Sequence, residues 1–229
     1  MENTTIYLGD IARAYIQSWK RKTGGKCLAI CGSNGKTTHK QMLAHILDCE
    51  NKQRVHASKG SFNNAVGVPL TSFKLKDHHD LAIFEIGTNH PGEVRTLCEI
   101  VDPDGGIITN IGLEHMEFFK TIENVFLEER SLYDYLQEKN KMEPLILNAD
   151  DEWLARLDIN ERTLFYGESC QENKVTLGDE KIIIENEENT YEIKNSHIVG
   201  SFNFKNLAAV FLLAKNLSLI HISEPTRPY

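Results

Sequence analysis

Cys27-Leu28-Ala29-Ile30-Cys31-Gly32-Ser33-Asn34-Gly35-Lys36-Thr37-Thr38 is an apolar run that ends in a glycine-bearing turn and a Lys-Thr pair. The segment behind it, Lys40 to Leu47, reads as helix. A strand, a turn of this kind and Lys-Thr at a helix start form the arrangement that holds a nucleotide's phosphates. The glycines let backbone N–H groups approach the phosphate oxygens, and the helix N-terminus adds its partial positive charge. Gly32, Ser33, Asn34, Gly35 and Thr38 make the cradle, Lys36 reaches the β- and γ-phosphates, and the Thr37 hydroxyl helps to hold Mg²⁺. The longer phosphate-loop pattern asks for glycine at position 30, where this chain has Ile30, so the match is to the shorter Gly-x-x-Gly-Lys-Thr-Thr. The plainer alternative is a glycine turn beside a solvated lysine. It does not explain why Lys-Thr-Thr stands at the helix start.

Outward from this stretch, short apolar runs recur at Cys27–Cys31, Leu81–Ile86, Gly106–Ile111 and Leu145–Leu147. Helix-like stretches lie between them: Lys40–Leu47, Gly92–Val101 and Thr121–Leu136. Continuous apolar strands alternating with helices predict an α/β fold, a mostly parallel sheet with helices on both faces. Ligands of such sheets bind beyond the carboxyl ends of the strands. From Thr163 to Ile193 the character changes. Short β-type runs at Thr163–Tyr166, Val175–Leu177, Lys181–Ile184 and Tyr191–Ile193 predict a small antiparallel meander. A helix is expected from Phe204 with Asn203 as its N-cap. An N-terminal helix, Asp10 to Lys20, would carry Ile11, Ala14, Tyr15, Ile16 and Trp19 near one face.

The 229 residues suffice for one large domain or two small ones. Hydrophobic content of 41% and charged content of 25% are those of an ordinary globular protein. The formal net charge of -8 argues against a nucleic-acid surface, which recruits basic patches. The run Leu207–Ala214 is too short to span a bilayer, and no signal peptide is visible at Met1-Glu2-Asn3. Cytoplasmic location, no membrane insertion and a monomeric state are expected. The cysteines, Cys27, Cys31, Cys49, Cys98 and Cys170, are odd in number and scattered, which fits structural thiols in a reducing compartment.

Two side chains stand where the parallel sheet would present its ligand. Glu85 ends the run Leu81-Ala82-Ile83-Phe84, placing a carboxylate beside the phosphate loop where it can ligate Mg²⁺ with Thr37. Its alternative is a strand-end salt bridge. His115 follows the next strand, in Thr109-Asn110-Ile111-Gly112-Leu113-Glu114-His115. A lone histidine is ordinarily structural, but this position at a second strand end favours a role in the site. The pair Asn63-Asn64, followed by Ala65-Val66-Gly67-Val68-Pro69-Leu70, reads either as a polar loop aimed at a ligand or as turn chemistry.

Taken together, Gly32–Thr38, Asn63–Leu70, Glu85-Ile86-Gly87-Thr88-Asn89-His90-Pro91-Gly92-Glu93 and Thr109–His115 resemble the Mur ligases. Within the family, the likeness is greatest to members that add D-alanyl-D-alanine to a UDP-linked muramoyl tripeptide in peptidoglycan synthesis. The resemblance implies an ATP-dependent amide-bond former working through an acyl phosphate. It implies Lys36 and Thr37 on phosphates and Mg²⁺, Glu85 and His115 at the metal sites, Lys36, Glu85 and His115 as the catalytic group, Asn63 and Asn64 toward substrate, and Asn203 and Asn206 near the adenine. Phe202 stands where many members have histidine. The family also carries a carbamylated lysine on the helix after the His115 motif, and an ungapped count puts Glu129 there. Glu129 is expected either to supply that negative charge near the second metal or to lie on a solvated acidic helix face.

By the same resemblance, residues 1–22 would end an N-terminal domain or form a linker helix, and 23–216 would be the central ATP-binding domain. Residues 217–229 read as a non-native tail, like a translated sequencing adapter, with the natural protein continuing past Asn216 into a C-terminal domain absent here. Such a span is expected to be inactive alone, because a closing domain completes the site. Two rival readings remain open: another Mur-type ligase, or a nucleotide-binding module without ligase chemistry.

Overall fold

A computed structural model describes residues 2–48, 54–178, 181–194 and 200–217. The chain runs α1 (Glu2–Thr23), β1 (Lys26–Cys31), α2 (Lys36–Leu47), β2 (Val55–Ala57), α3 (Gly67–Ser72), β3 (Leu81–Glu85), α4 (Glu93–Val101) and β4 (Gly105–Ile108). It continues through α5 (Met116–Phe119), α6 (Ile122–Glu129), α7 (Ser131–Glu138), β5 (Leu145–Asn148), a 3₁₀ turn at Leu154–Arg156 and β6 (Thr163–Tyr166). The last elements are β7 (Lys174–Leu177), β8 (Lys181–Glu185), β9 (Thr190–Lys194) and α8 (Ser201–Asn216).

Six strands form one sheet in the order β2-β3-β1-β4-β5-β6, every pair parallel, and β7-β8-β9 form a separate antiparallel sheet. Buried strand residues alternate between two cores. Cys27, Ala29 and Cys31 of β1 join a cluster with Ala12, Ile16, Trp19, Leu97 and Leu132 from the helices α1, α4 and α7. Leu28 and Ile30 face the other way, into a cluster with Leu43, Leu207, Val210 and Ile182 from α2, α8 and β8. Burial on both faces is why β1, β3 and β4 read as unbroken apolar runs.

From β1 the chain leaves toward the β3 side, and from β4 it leaves toward β5. The diverging connections open a crevice at the carboxyl ends of these two neighbouring strands. The Gly32–Gly35 turn and the Thr109–His115 loop meet there. Ser33 N–H donates to Asn110 O at 2.9 Å, and Thr109 N–H to Cys31 O at 3.0 Å.

Several expected elements are corrected. Thr163–Tyr166 does not belong to the meander: it pairs in parallel with β5, Thr163 opposite Leu145. Thr163, Phe165 and Tyr166 are all buried, whereas β7 and β9 alternate between buried or half-buried and exposed positions. Strand β2 at the sheet edge has no counterpart among the expected runs; it is only three residues long. Helix α2 begins at Lys36, not Lys40, which places Lys36-Thr37-Thr38 in its first turn. The stretch Thr121–Leu136 is two helices that meet at Arg130. Helix α8 starts at Ser201 with Gly200 as N-cap, so Asn203 is not its cap but lies within its first turn.

Helix α1 packs on α3 and α4 through Gly9, Ala12, Ile16 and Trp19, while Ile11, Ala14 and Tyr15 are exposed. The helices come close at Gly9, where a Cβ would lie 2.9 Å from Ile100 Cδ1. Of the expected tail, Leu217 is buried in the α2/α8 core, and 218–229 lie outside the described residues. Cys27, Cys31, Cys98 and Cys170 are buried free thiols; Cys49 lies outside the described residues. No described helix is long and apolar enough to cross a membrane.

Candidate active site

Two glycines shape the turn between β1 and α2. Gly32 has φ 111°, and a Cβ there would collide with Thr109 Oγ1; Gly35 has φ 83° and caps α2. Both conformations are open to glycine and strained for other residues. With no acidic residue in its first turn, α2 leaves its N-terminal N–H groups and partial positive charge for a ligand. Lys36 curls back over the turn, donating to Gly32 O and, at 3.2 Å, to Ser33 O. The loop after β4 braces it. Gly112 N–H donates to Ser33 Oγ at 2.8 Å, Ser33 Oγ donates to Glu114 at 2.8 Å, and Asn34 N–H donates to Asn110 Oδ1 at 3.1 Å.

Glu85, 2% exposed, is the most heavily bonded carboxylate facing this turn. Its Oε2 accepts from the Thr37 hydroxyl at 2.9 Å and from Lys40 Nζ at 2.8 Å, and its Oε1 accepts from the Asn63 amide at 3.0 Å. Thr37 and Asn63, from α2 and from the loop before α3, thus both contact the Glu85 carboxylate. Asn64 points elsewhere. Its Oδ1 accepts from Val66 and Gly67 N–H groups and starts α3. Lys40 escaped the sequence reading. The signal was its spacing, three residues beyond Thr37 on one helical face, visible once the helix starts at Lys36.

Glu129 is fully buried, and its Oε2 accepts from Gly32 N–H at 2.7 Å. Its Oε1 has no hydrogen-bond partner among the described residues. Burial pushes its carboxyl up to about 8, against the opposing pull of Lys36 and with Glu114 adding to the rise. The solvated acidic face is thereby excluded, since Glu128 is buried as well. Glu128 accepts from Gly92 N–H at 2.6 Å, Val94 N–H at 2.8 Å and Thr88 Oγ1 at 3.1 Å, closing the N-terminus of α4. His115 is exposed, with φ 44°, at the N-cap of α5 beside Glu114. Glu85, His115 and Glu129 do not come together as a three-ligand metal cluster among the described residues. A cation in contact with Thr37 and Glu85 must take further oxygens from its ligand or from water, which is how Mg²⁺ is ordinarily held.

On the other side of the turn, Asn203 and Asn206 share a face of α8, with Asn206 Nδ2 donating to Asn203 Oδ1 at 3.5 Å. A Cβ on Gly35 would stand 3.6 Å from Asn206 Nδ2, so the asparagine pair borders the glycine turn. His39 lies beneath, its Nδ1 2.9 Å from Gly35 O, and burial pulls its pKa down to about 4.

The Mur ligase middle domain profile matches residues 30–214. The UDP-N-acetylmuramoyl-tripeptide--D-alanyl-D-alanine ligase of Bacillus subtilis is 33% identical over 154 residues, covering 65% of this chain and 32% of that protein. The enzyme of the same name from Haemophilus influenzae is 30% identical over 226 residues, covering 95% of this chain and 48% of the relative. A crystal structure of MurF from Acinetobacter baumannii superposes with TM-score 0.75 at 26% identity, covering 94% of this chain and 48% of that one. MurF from Thermotoga maritima, solved with ADP, has TM-score 0.77 at 24% identity over 94% of this chain and 50% of its own, a likeness of fold. The chain thus spans half or less of the length of these relatives.

Proposed function

The chain belongs to the Mur ligase family, and from that premise we propose that it is the ATP-binding part of a ligase adding D-alanyl-D-alanine to a UDP-N-acetylmuramoyl tripeptide. Residues 23–216 are assigned to that domain, working in the cytoplasm, with an acyl phosphate as intermediate. The observation that carries the reading is the contact of Thr37 with Glu85 directly beside the Lys36 turn, at 2.9 Å. A phosphate-binding helix start and a strand-end carboxylate then share one hydroxyl, as a metal–triphosphate site requires.

The donors suit Mg²⁺: the Thr37 hydroxyl and the Glu85 carboxylate are hard oxygen ligands. Bound there, the cation would neutralise charge growing on the transferring phosphoryl group. Lys36 leaves its backbone carbonyls to meet the phosphate oxygens, with the N–H groups of the Gly32–Thr37 turn. Asn203 and Asn206 are assigned to the nucleotide's base, Asn63 to the substrate side of Glu85, and His115 and Glu129 to the second cation. Glu129 can take that role because it already holds Gly32 and keeps one oxygen without a partner among the described residues.

Binding of a fluorescent ATP analogue to the 229-residue chain is the first test: Lys36→Ala should weaken it at least a hundredfold while leaving the melting temperature within about 2 °C. The second is phosphate release by a fusion joining this domain to the flanking domains of the Bacillus subtilis relative. D-alanyl-D-alanine should stimulate it; stimulation by a single amino acid instead would assign a sibling ligase, and binding without turnover a nucleotide-binding module. In the same fusion, an unaltered rate and Mg²⁺ dependence after Glu129→Gln would remove Glu129 from the metal site.

A further inference from the structure

Lys40 is 2% exposed, as Glu85 is, and the two form a buried ion pair at 2.8 Å. The lysine also donates to Gly60 O. Gly60 lies on the loop that carries Asn63, whose amide holds the other Glu85 oxygen at 3.0 Å. The carboxylate assigned to the metal therefore already has a cation, on the same oxygen that Thr37 approaches. A divalent ion and an ammonium cannot share one carboxylate oxygen in a water-poor site without strong repulsion. A buried lysine stripped of its carboxylate is costly as well, unless another anion takes over.

We propose that Lys40 is a resident counter-ion of Glu85 that a divalent cation must displace, and that the displacement passes through Gly60 to the loop 58–66. The inference rests on the reading of Glu85 as a metal ligand. Lys40 is a positioning residue in this scheme. Free divalent cation binds weakly while Lys40 holds Glu85. Nucleotide phosphates supply the negative charge that lets Lys40 leave, so metal and nucleotide enter together. Because Lys40 and Asn63 both tie the 58–66 loop to the carboxylate, the loop loses one of its anchors in the same event.

Mn²⁺ binding to the nucleotide-free 229-residue chain, measured by electron paramagnetic resonance, tests this. Lys40→Met should tighten Mn²⁺ at least tenfold, and Lys40→Arg should keep the weak affinity. A merely structural lysine would give unchanged or weaker binding on removal, and that result overturns the proposal. Adding Glu85→Gln to the Lys40→Met chain should abolish the gained site; a site that persists there means that Glu85 is not a metal ligand, and the underlying reading falls too. If Lys40→Met does not fold, Lys40→Gln carries the same expectation. Hydrogen exchange in the wild-type chain is an independent check. Exchange over 58–66 should rise at least threefold on adding Mn²⁺ with a non-hydrolysable ATP analogue, and an unresponsive loop would also overturn the proposal.

Discussion

His39 and Glu129 are sealed beneath the same glycine turn, and burial moves them in opposite directions: the histidine down to about 4, the carboxyl up to about 8. Each is thus held neutral where its free counterpart would be more readily charged. For His39 the unfolded value is 6.5, so the unfolded chain takes up the proton first as pH falls. Stability is complete above that value and is lost toward pH 4, by about 3 kcal/mol from this residue. Urea titrations from pH 7 to pH 4 should show that loss, and His39→Gln, which cannot titrate, should flatten the slope. For Glu129 the unfolded value is 4.5, so the fold holds the proton more tightly and loses stability as pH rises from there to about 8. Glu129→Gln should therefore raise the melting temperature by about 4 °C or more at pH 8.5 and little at pH 5. A gain in stability alongside a loss of activity is the pattern of a functional group kept at a structural cost.

Helix α6 works through two adjacent carboxylates. Glu129 reaches the glycine turn before α2, and Glu128 reaches three donors at the start of α4. Glu128→Ala would leave the buried Val94 N–H and the Gly92 N–H without this acceptor, while the Thr88 hydroxyl keeps His90 O at 2.9 Å. It should cost about 2–3 kcal/mol in chemical denaturation, with Glu128→Gln costing less. Such an assignment needs packing: in the letters Glu128-Glu129 looks like any acidic helix surface. The strands were more legible, because burial on both faces leaves an unbroken apolar run. Thr163-Leu164-Phe165-Tyr166 had that signature too, yet its place beside short β-type runs drew it into the wrong sheet. Pairing with Leu145–Asn148 is a long-range choice that local pattern does not encode.

At the scale of the molecule, α1 is part of the same packed body as the sheet. Trp19 Nε1 donates to Lys76 O at 3.1 Å, and Tyr15 hydroxyl to Leu75 O at 2.9 Å. Lys20 joins Asp104 at 2.7 Å, tying the helix end to the start of β4. Gly9→Val should overpack against Ile100 and cost about 1–3 kcal/mol, whereas Ile11→Ala should stay within about 0.5 kcal/mol. Both variants should unfold in one transition; a separate early transition for α1 would show that it is not part of the cooperative unit.

The glycine turn before α2, the parallel α/β class and the strand-end position of Glu85 were set by the residues alone, because each depends on local chemistry: glycine's access to positive φ, the run of apolar letters, a carboxylate at a strand's end. The partners of that carboxylate were not. Lys40 on Glu85, Glu129 under Gly32 and Gly9 against Ile100 are contacts between segments far apart in the chain, or turn on where a helix begins. They exist only once the sheet order has brought those segments together and water has been excluded between them.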